Sequence, residues 1–148
     1  MINNVDRVGS LLQATLVELI DLAQQGKQAH WNVVGPRFLP VHQQLDTLVD
    51  DVRLGADEVA ERAVAVGYRP DGRSATVAKE TPLSELPAGS LADVDVVREI
   101  TDRLRNVADS VRARVNQLDD LDPVTQDLLI GLTATLDKHA WMFGAQLN

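Results

Sequence analysis

Residues 27–62 read KQAHWNVVGPRFLPVHQQLDTLVDDVRLGADEVAER, and the rest of the chain can be laid out from this stretch. Gly35-Pro36 divides it, because proline disfavours helical geometry at the residue before it. Upstream, Val5, Val8, Leu12, Leu16, Leu19 and Ala23 recur at spacings of three and four, which predicts a helix from about residue 5 to residue 34. Leu11, Val17, Ile20 and Leu22 widen its apolar surface, so it is covered on more than one side. Downstream, a second helix is expected from about residue 37 to residue 66, with Pro40 tolerated in its first turn. Its core row is Phe38, Val41, Leu45, Leu48, Val52, Val59, Ala63 and Val66, and Gly67 suits a C-cap.

Residues 67–92 form the one long irregular segment. Two long helices need such a connection if they are to run in the same direction. Thr81-Pro82 is placed to open a short helix within it, closed by Pro87 and Gly89. A third helix is expected from about Leu91, with Ser90 as N-cap and Asp93 three residues on. Its core row is Val97, Ile100, Leu104, Val107, Val111, Val115 and Leu118. Asp122-Pro123 supplies an N-cap and a first-turn proline for a fourth helix through Leu128, Leu132, Leu136, Ala140 and Phe143. The fold class is all-α: a ferritin-type four-helix bundle whose long crossover, with a short helix in it, joins helices 2 and 3. One domain spanning 1–148 is expected, with no internal repeat.

Composition agrees. Hydrophobic residues make up 45% but aromatics only 3%, a balance that suits packed helices. The chain has no cysteine, so neither disulfides nor thiolate metal sites arise. No signal-peptide pattern opens it and no apolar run reaches membrane-span length, so a cytoplasmic location is expected. The net charge of -8 opposes broad nucleic-acid affinity and is compatible with attracting metal cations.

His30, His42, Asp46, Asp57 and Glu61 carry the chemistry: imidazole with carboxylate is a ligand set for iron, manganese or zinc. At about 100° per residue, with His42 at zero, Asp46 falls at about 40°, Asp57 at about 60° and Glu61 at about 100°. The core row clusters at about 270°, so the four form one stripe turned roughly 140° from their own core. They face outward. Asp46 and Asp57 lie about 16 Å apart along the axis, a gap that ligands reaching about 2 Å cannot close on one ion. Two antiparallel copies of the helix, related by a two-fold axis near Asp51–Val52, bring His42 and Asp46 of one chain opposite Asp57 and Glu61 of the other, twice. His30, just across the turn from His42, completes the set. The competing reading is a row of solvated charges on an outer face.

The run KQAHWNVVGPRFLPVHQQLD followed by ADEVAER resembles the ferroxidase signature of the Dps mini-ferritins, the DNA-binding proteins from starved cells, and DKHAWMF near the C-terminus is similar to that family's closing helix. All five ligand positions are occupied. The resemblance implies a dodecamer built from two-fold dimers, with ferroxidase centres at the dimer interfaces. It implies oxidation of Fe(II), mainly by hydrogen peroxide, storage of Fe(III) as a mineral inside the shell, and protection of the cell and its DNA. Zinc or manganese are potential competitors for iron. The in-bundle site of ordinary ferritins, built on Glu-x-x-His pairs, is absent, since no Glu is followed three residues later by His.

On the same resemblance, Lys27 is either a counter-charge beside the site or a surface ion pair, and Trp31 either walls the site or packs. Asp119, Asp120, Asp122 and Asp127 are candidates to line an ion-entry pore, Asp122 also serving as N-cap. His139 is expected to be structural. Arg98, Asp102, Arg105, Asp109 and Arg112 alternate in sign as a self-satisfying ladder. Arg7 is the one basic residue before Lys27 and the chain ends GAQLN, which argues against DNA binding through basic tails. The alternative function, a DNA-compacting nucleoid protein with secondary iron chemistry, leaves nucleoid association open.

Overall fold

The structure, a computed structural model, describes residues 4–148; residues 1–3, part of the short N-terminal segment considered above, lie outside the described residues. Five helices and two short strands follow one another: α1 (Asn4–Asn32), β1 (Val33–Val34), α2 (Phe38–Ala65), α3 (Ser74–Glu80), β2 (Leu91–Ala92), α4 (Asp93–Gln117) and α5 (Pro123–Gly144), closed by a 3₁₀ turn, Ala145–Leu147. α1 packs along α2 and α4 along α5, with further contacts of α1 on α4 and α2 on α5. The bundle is all-α, with a short helix in the crossover between its second and third long helices, as expected. Among the described residues no helix is long and apolar enough to cross a membrane.

The core follows the apolar rows. Leu12, Leu19, Leu22, Leu45, Leu48, Ile100, Leu104, Leu129, Leu136 and Phe143 are fully buried. Each such side chain contributes about 1.5–3 kcal/mol of transfer free energy. Two arginines, Arg103 buried and Arg114 partly so, tie elements together. Arg114 donates to Glu18 at 2.5 Å, joining α4 to α1. Arg103 donates to the Gln25 side chain (2.6 Å) and to the Ser84 carbonyl (2.9 Å), fastening the crossover to the bundle.

The second helix ends as its glycine implies. Gly67 has φ 95°, and the Tyr68 and Gly67 amides donate to the Ala63 and Val64 carbonyls, a Schellman arrangement. The fourth helix starts as Asp122-Pro123 implies, the Asp122 carboxylate accepting from the Val124 N–H.

Four expectations need correction. α1 stops at Asn32, because Val33–Val34 pairs in parallel with Leu91–Ala92, in register Val33↔Leu91 and Val34↔Ala92. This bridge sets the starts of α2 and α4 at the same end of the bundle. The crossover helix lies before Thr81-Pro82, not after it: Pro82 holds Thr81 extended, and the Asp71 carboxylate organises the start by accepting from the Arg73 N–H and the Thr76 hydroxyl. Ser90 is not the cap of α4; Ala92 holds that position without a side-chain bond, and Asp93 accepts the Val94 N–H instead. Phe38 is 40% exposed, its ring lying over His42 rather than in the core.

Candidate metal centre

His30 stands in the last turn of α1, where carbonyl groups lack intrahelical partners. His42 stands one turn into α2, across the short connection. Each imidazole uses the other's backbone: His30 Nδ1 lies 2.7 Å from the His42 carbonyl and His42 Nδ1 lies 2.8 Å from the His30 carbonyl. A carbonyl can only accept, so both Nδ1 atoms carry a proton, and in the neutral imidazole each Nε2 then presents a lone pair. That is the tautomer a metal-binding histidine needs, oriented as outer hydrogen bonds orient such ligands. The two rings stack, centroids 3.6 Å apart and 13° from parallel. His30 is buried to 7% exposure, so its ring has little freedom.

Asp46, one turn beyond His42, places Oδ1 3.5 Å from His30 Nε2. The same oxygen accepts from Lys27 Nζ at 2.5 Å. The lysine hydrogen bond and the nearby positive charge hold the Asp46 carboxyl below its usual range. One chain therefore brings together His30, His42 and Asp46, with Lys27 as the counter-charge on the carboxylate.

Asp57 and Glu61 do not join them. Both are exposed on α2, farther along its axis. Glu61 lines a shallow cavity between α2 and α5 with Glu58, Arg62, Val124, Asp127 and Leu128. His30, His42 and Asp46 are neighbours but do not by themselves converge on one ion: among the described residues, no three His, Asp or Glu side chains of one chain are grouped to hold a metal.

The remaining candidates separate. Trp31 is 68% exposed and not packed within the chain; it borders a groove with Gln24, Gln28 and Glu85. Asp122 is taken up by structure, its Oδ2 accepting from Arg62 (2.8 Å) and Thr125 (2.5 Å). Burial raises its pKa, and the bonds from Thr125, Arg62 and the Val124 N–H outweigh that, so it lies below the usual value. Asp119, Asp120 and Asp127 are exposed, and Asp120 sits at φ 62° in the turn before α5. His139 is buried, with Nε2 2.7 Å from Asp51 Oδ2, which joins α5 to α2. In the charged ladder, Arg98 pairs back to Asp95 rather than on to Asp102, and Arg112 pairs with Asp109 and Asp137. Sequence reasoning gave Asp93 only a place three residues after the expected Ser90 cap and missed its role: it is buried, and its contacts run to residue 37, a separation no local pattern records.

A model of the ferritin-like domain matches residues 10–148. The chain is 37% identical over 137 residues to DNA protection during starvation protein 2 of Deinococcus radiodurans, covering 93% of this chain; it spans 57% of that relative's length. It is 37% identical over 147 residues to the DNA protection during starvation protein of Mycolicibacterium smegmatis, covering 95% of this chain and 77% of that one. The solved structure of Dps from Microbacterium arborescens in the high iron form superposes with a TM-score of 0.94 at 31% identity, covering 99% of this chain and 96% of that one. The chain belongs to the Dps family of ferritin-like proteins.

Proposed function

We propose that the protein is a ferroxidase mini-ferritin that binds Fe(II) at sites shared between two subunits and stores the product as a ferric mineral inside a dodecameric shell. The observation that carries this reading is the reciprocal pair of Nδ1–H bonds between His30 and His42. They expend both Nδ1 atoms on backbone carbonyls and leave both Nε2 atoms for ligation, that of His30 lying 3.5 Å from Asp46 Oδ1. The donor set suits a borderline divalent ion such as Fe(II), with Zn(II) and Mn(II) as competitors. Asp57 and Glu61 of a second copy, facing outward on the same helix stripe, supply the remaining oxygen ligands.

Fe(II) is the substrate. Hydrogen peroxide accepts one electron from each of two Fe(II) ions; its O–O bond breaks and, with protons taken up, water forms. Delivering both electrons at one centre limits the release of hydroxyl radical. The histidines and carboxylates hold the ions with positions left open to the oxidant. Exposed Asp119, Asp120 and Asp127 are suited to attract cations at a shell entrance; Asp122 shapes that turn rather than offering a free carboxylate. The Microbacterium structure, described as a high iron form, supports iron as the cargo of a close relative.

Anaerobic titration with Fe(II), followed by peroxide, tests the proposal. About two strong sites per dimer and a rising ferric absorbance are expected. Absence of Fe(II) binding, or binding untouched by combining His42→Ala with Asp57→Ala, would overturn it.

The names of the two starvation-protection relatives favour a second reading, DNA compaction. The net charge of -8 weighs against it. A gel-shift series at low and moderate salt decides, because binding driven by phosphate contacts weakens steeply as salt rises.

A further inference from the structure

The two histidines can hold each other's carbonyls only if the end of α1 and the start of α2 keep one fixed separation. The connection between them contains Gly35 at φ 127° and Pro36, and its fixed points come from a distant part of the chain. Asp93, the first residue of α4, is 5% exposed. One carboxylate oxygen accepts the Arg37 N–H at 2.7 Å, immediately before α2, and the other accepts the Val94 N–H at 2.7 Å. The Phe38 N–H closes the turn onto the Gly35 carbonyl at 3.1 Å. A side chain at Gly35 would place its first carbon 2.9 Å from Asp93 Oδ2, so the carboxylate lies directly against the turn. On the other side, the bridge of Val33–Val34 to Leu91–Ala92 fixes the exit of α1. The crossover end thus grips the His30–His42 connection from both sides.

We infer that Asp93 is a positioning residue for the metal centre: its carboxylate clasps the α1–α2 connection and so sets the spacing at which His30 and His42 present their Nε2 atoms. The inference rests on the metal-centre reading above for its consequence and on the clasp geometry for its cause. The Arg37 guanidinium, 3.8 Å from Asp93 Oδ2 at its nearest nitrogen, plays a lesser part than the Arg37 backbone N–H. Asp93→Asn keeps the shape but turns an NH₂ toward one of the two amides, whereas Asp93→Ala removes both acceptors.

Co(II), added to the assembled protein without oxidant and followed by its visible spectrum, reports the ligand geometry without turnover. Wild type and Arg37→Ala are expected to bind alike. Asp93→Asn should weaken binding by about tenfold, the scale of losing an outer hydrogen bond to a metal ligand, and Asp93→Ala by more, with an altered spectrum. Amide hydrogen exchange supplies the metal-independent measurement. In both Asp93 variants exchange in residues 33–41 should quicken on the order of tenfold, while α1 and α5 stay as in wild type. Unchanged exchange in 33–41 would overturn the clasp, as would uniform quickening across the bundle, which marks a folding role alone. Local quickening with wild-type Co(II) affinity would overturn the positioning role, and so would Arg37→Ala reproducing the Asp93→Asn loss. If wild type itself binds no Co(II) while His42→Ala behaves identically, the metal-centre reading fails, and the exchange data then judge the clasp by themselves.

Discussion

Lys27 Nζ and a metal ion would compete for the same atom, Asp46 Oδ1, which the lysine contacts at 2.5 Å. Both side chains are partly exposed, so water screens the pair and its net worth is small. Small is enough to tune a binding site without closing it. Lys27→Met is expected to strengthen Fe(II) binding by about two- to fivefold, the scale of an exposed ion pair. An anaerobic titration of the assembled variant measures this. Weaker binding would mean instead that the lysine orients the carboxylate. Of the five candidate ligands, His42, Asp46, Asp57 and Glu61 were picked out by residue type and helical angle, and His30 by its place just across the turn. Lys27 was legible only as a choice between counter-charge and surface pair; its bond identifies Asp46 as the carboxylate it pairs with. The reciprocal histidine–carbonyl bonds were not legible, because they depend on the exact separation of two helix ends.

At the scale of elements, the start of α5 gathers several devices in one place: the Asp122 cap, Pro123, and the bonds from Arg62 of α2 and Thr125 to the same carboxylate. Asp122→Ala removes a cap worth about 1 kcal/mol and leaves Arg62 without its partner, so a thermal melt should show a clear loss of stability. The pH dependence has a definite sign. The folded-state pKa of Asp122 lies below the unfolded value of about 3.9. Its ionised form therefore stabilises the fold fully above that pH, and the contribution is lost as pH falls through the folded-state value. The difference in melting temperature between wild type and Asp122→Asn should be largest near neutrality and shrink below pH of about 4. A difference that grew on acidification would reverse the assignment. This cap could be read from Asp122-Pro123 because capping is a local contest between neighbouring residues. The α4 start could not: Ser90 offered an equally good local pattern, but the bridge to Val33–Val34 carries the chain two residues further before the helix begins. Likewise two paired residues have no periodicity to detect, and the crossover helix was misplaced because Asp71, not Thr81, organises its start, through the Arg73 N–H and the Thr76 hydroxyl.

The whole molecule is where the metal centre closes or fails to close. One chain supplies His30, His42 and Asp46 near one end of α2, and Asp57 and Glu61 farther along the same outer stripe, with Leu54 exposed between them at 59%. The proposed two-fold axis near Asp51–Val52 would make each centre a mixture of both chains, and that arrangement has a consequence no intrachain site shares. Consider one variant with His42→Ala and Asp46→Ala, and another with Asp57→Ala and Glu61→Ala. Alone, each forms dimers in which both centres are broken. In a mixed dimer, one centre draws all its ligands from the intact halves and the other keeps His30 alone. Random pairing of equal amounts makes about half of the dimers mixed, so co-assembly should restore about a quarter of the wild-type Fe(II) sites. The restored sites should have wild-type affinity, because every ligand in them is native. Separate preparations mixed after assembly should restore none until subunits exchange. Anaerobic titration of the co-assembled material gives the count. A count of zero with intact dimers would show that the stripe is a solvated face, and unreduced binding in either single preparation would place the site within one chain.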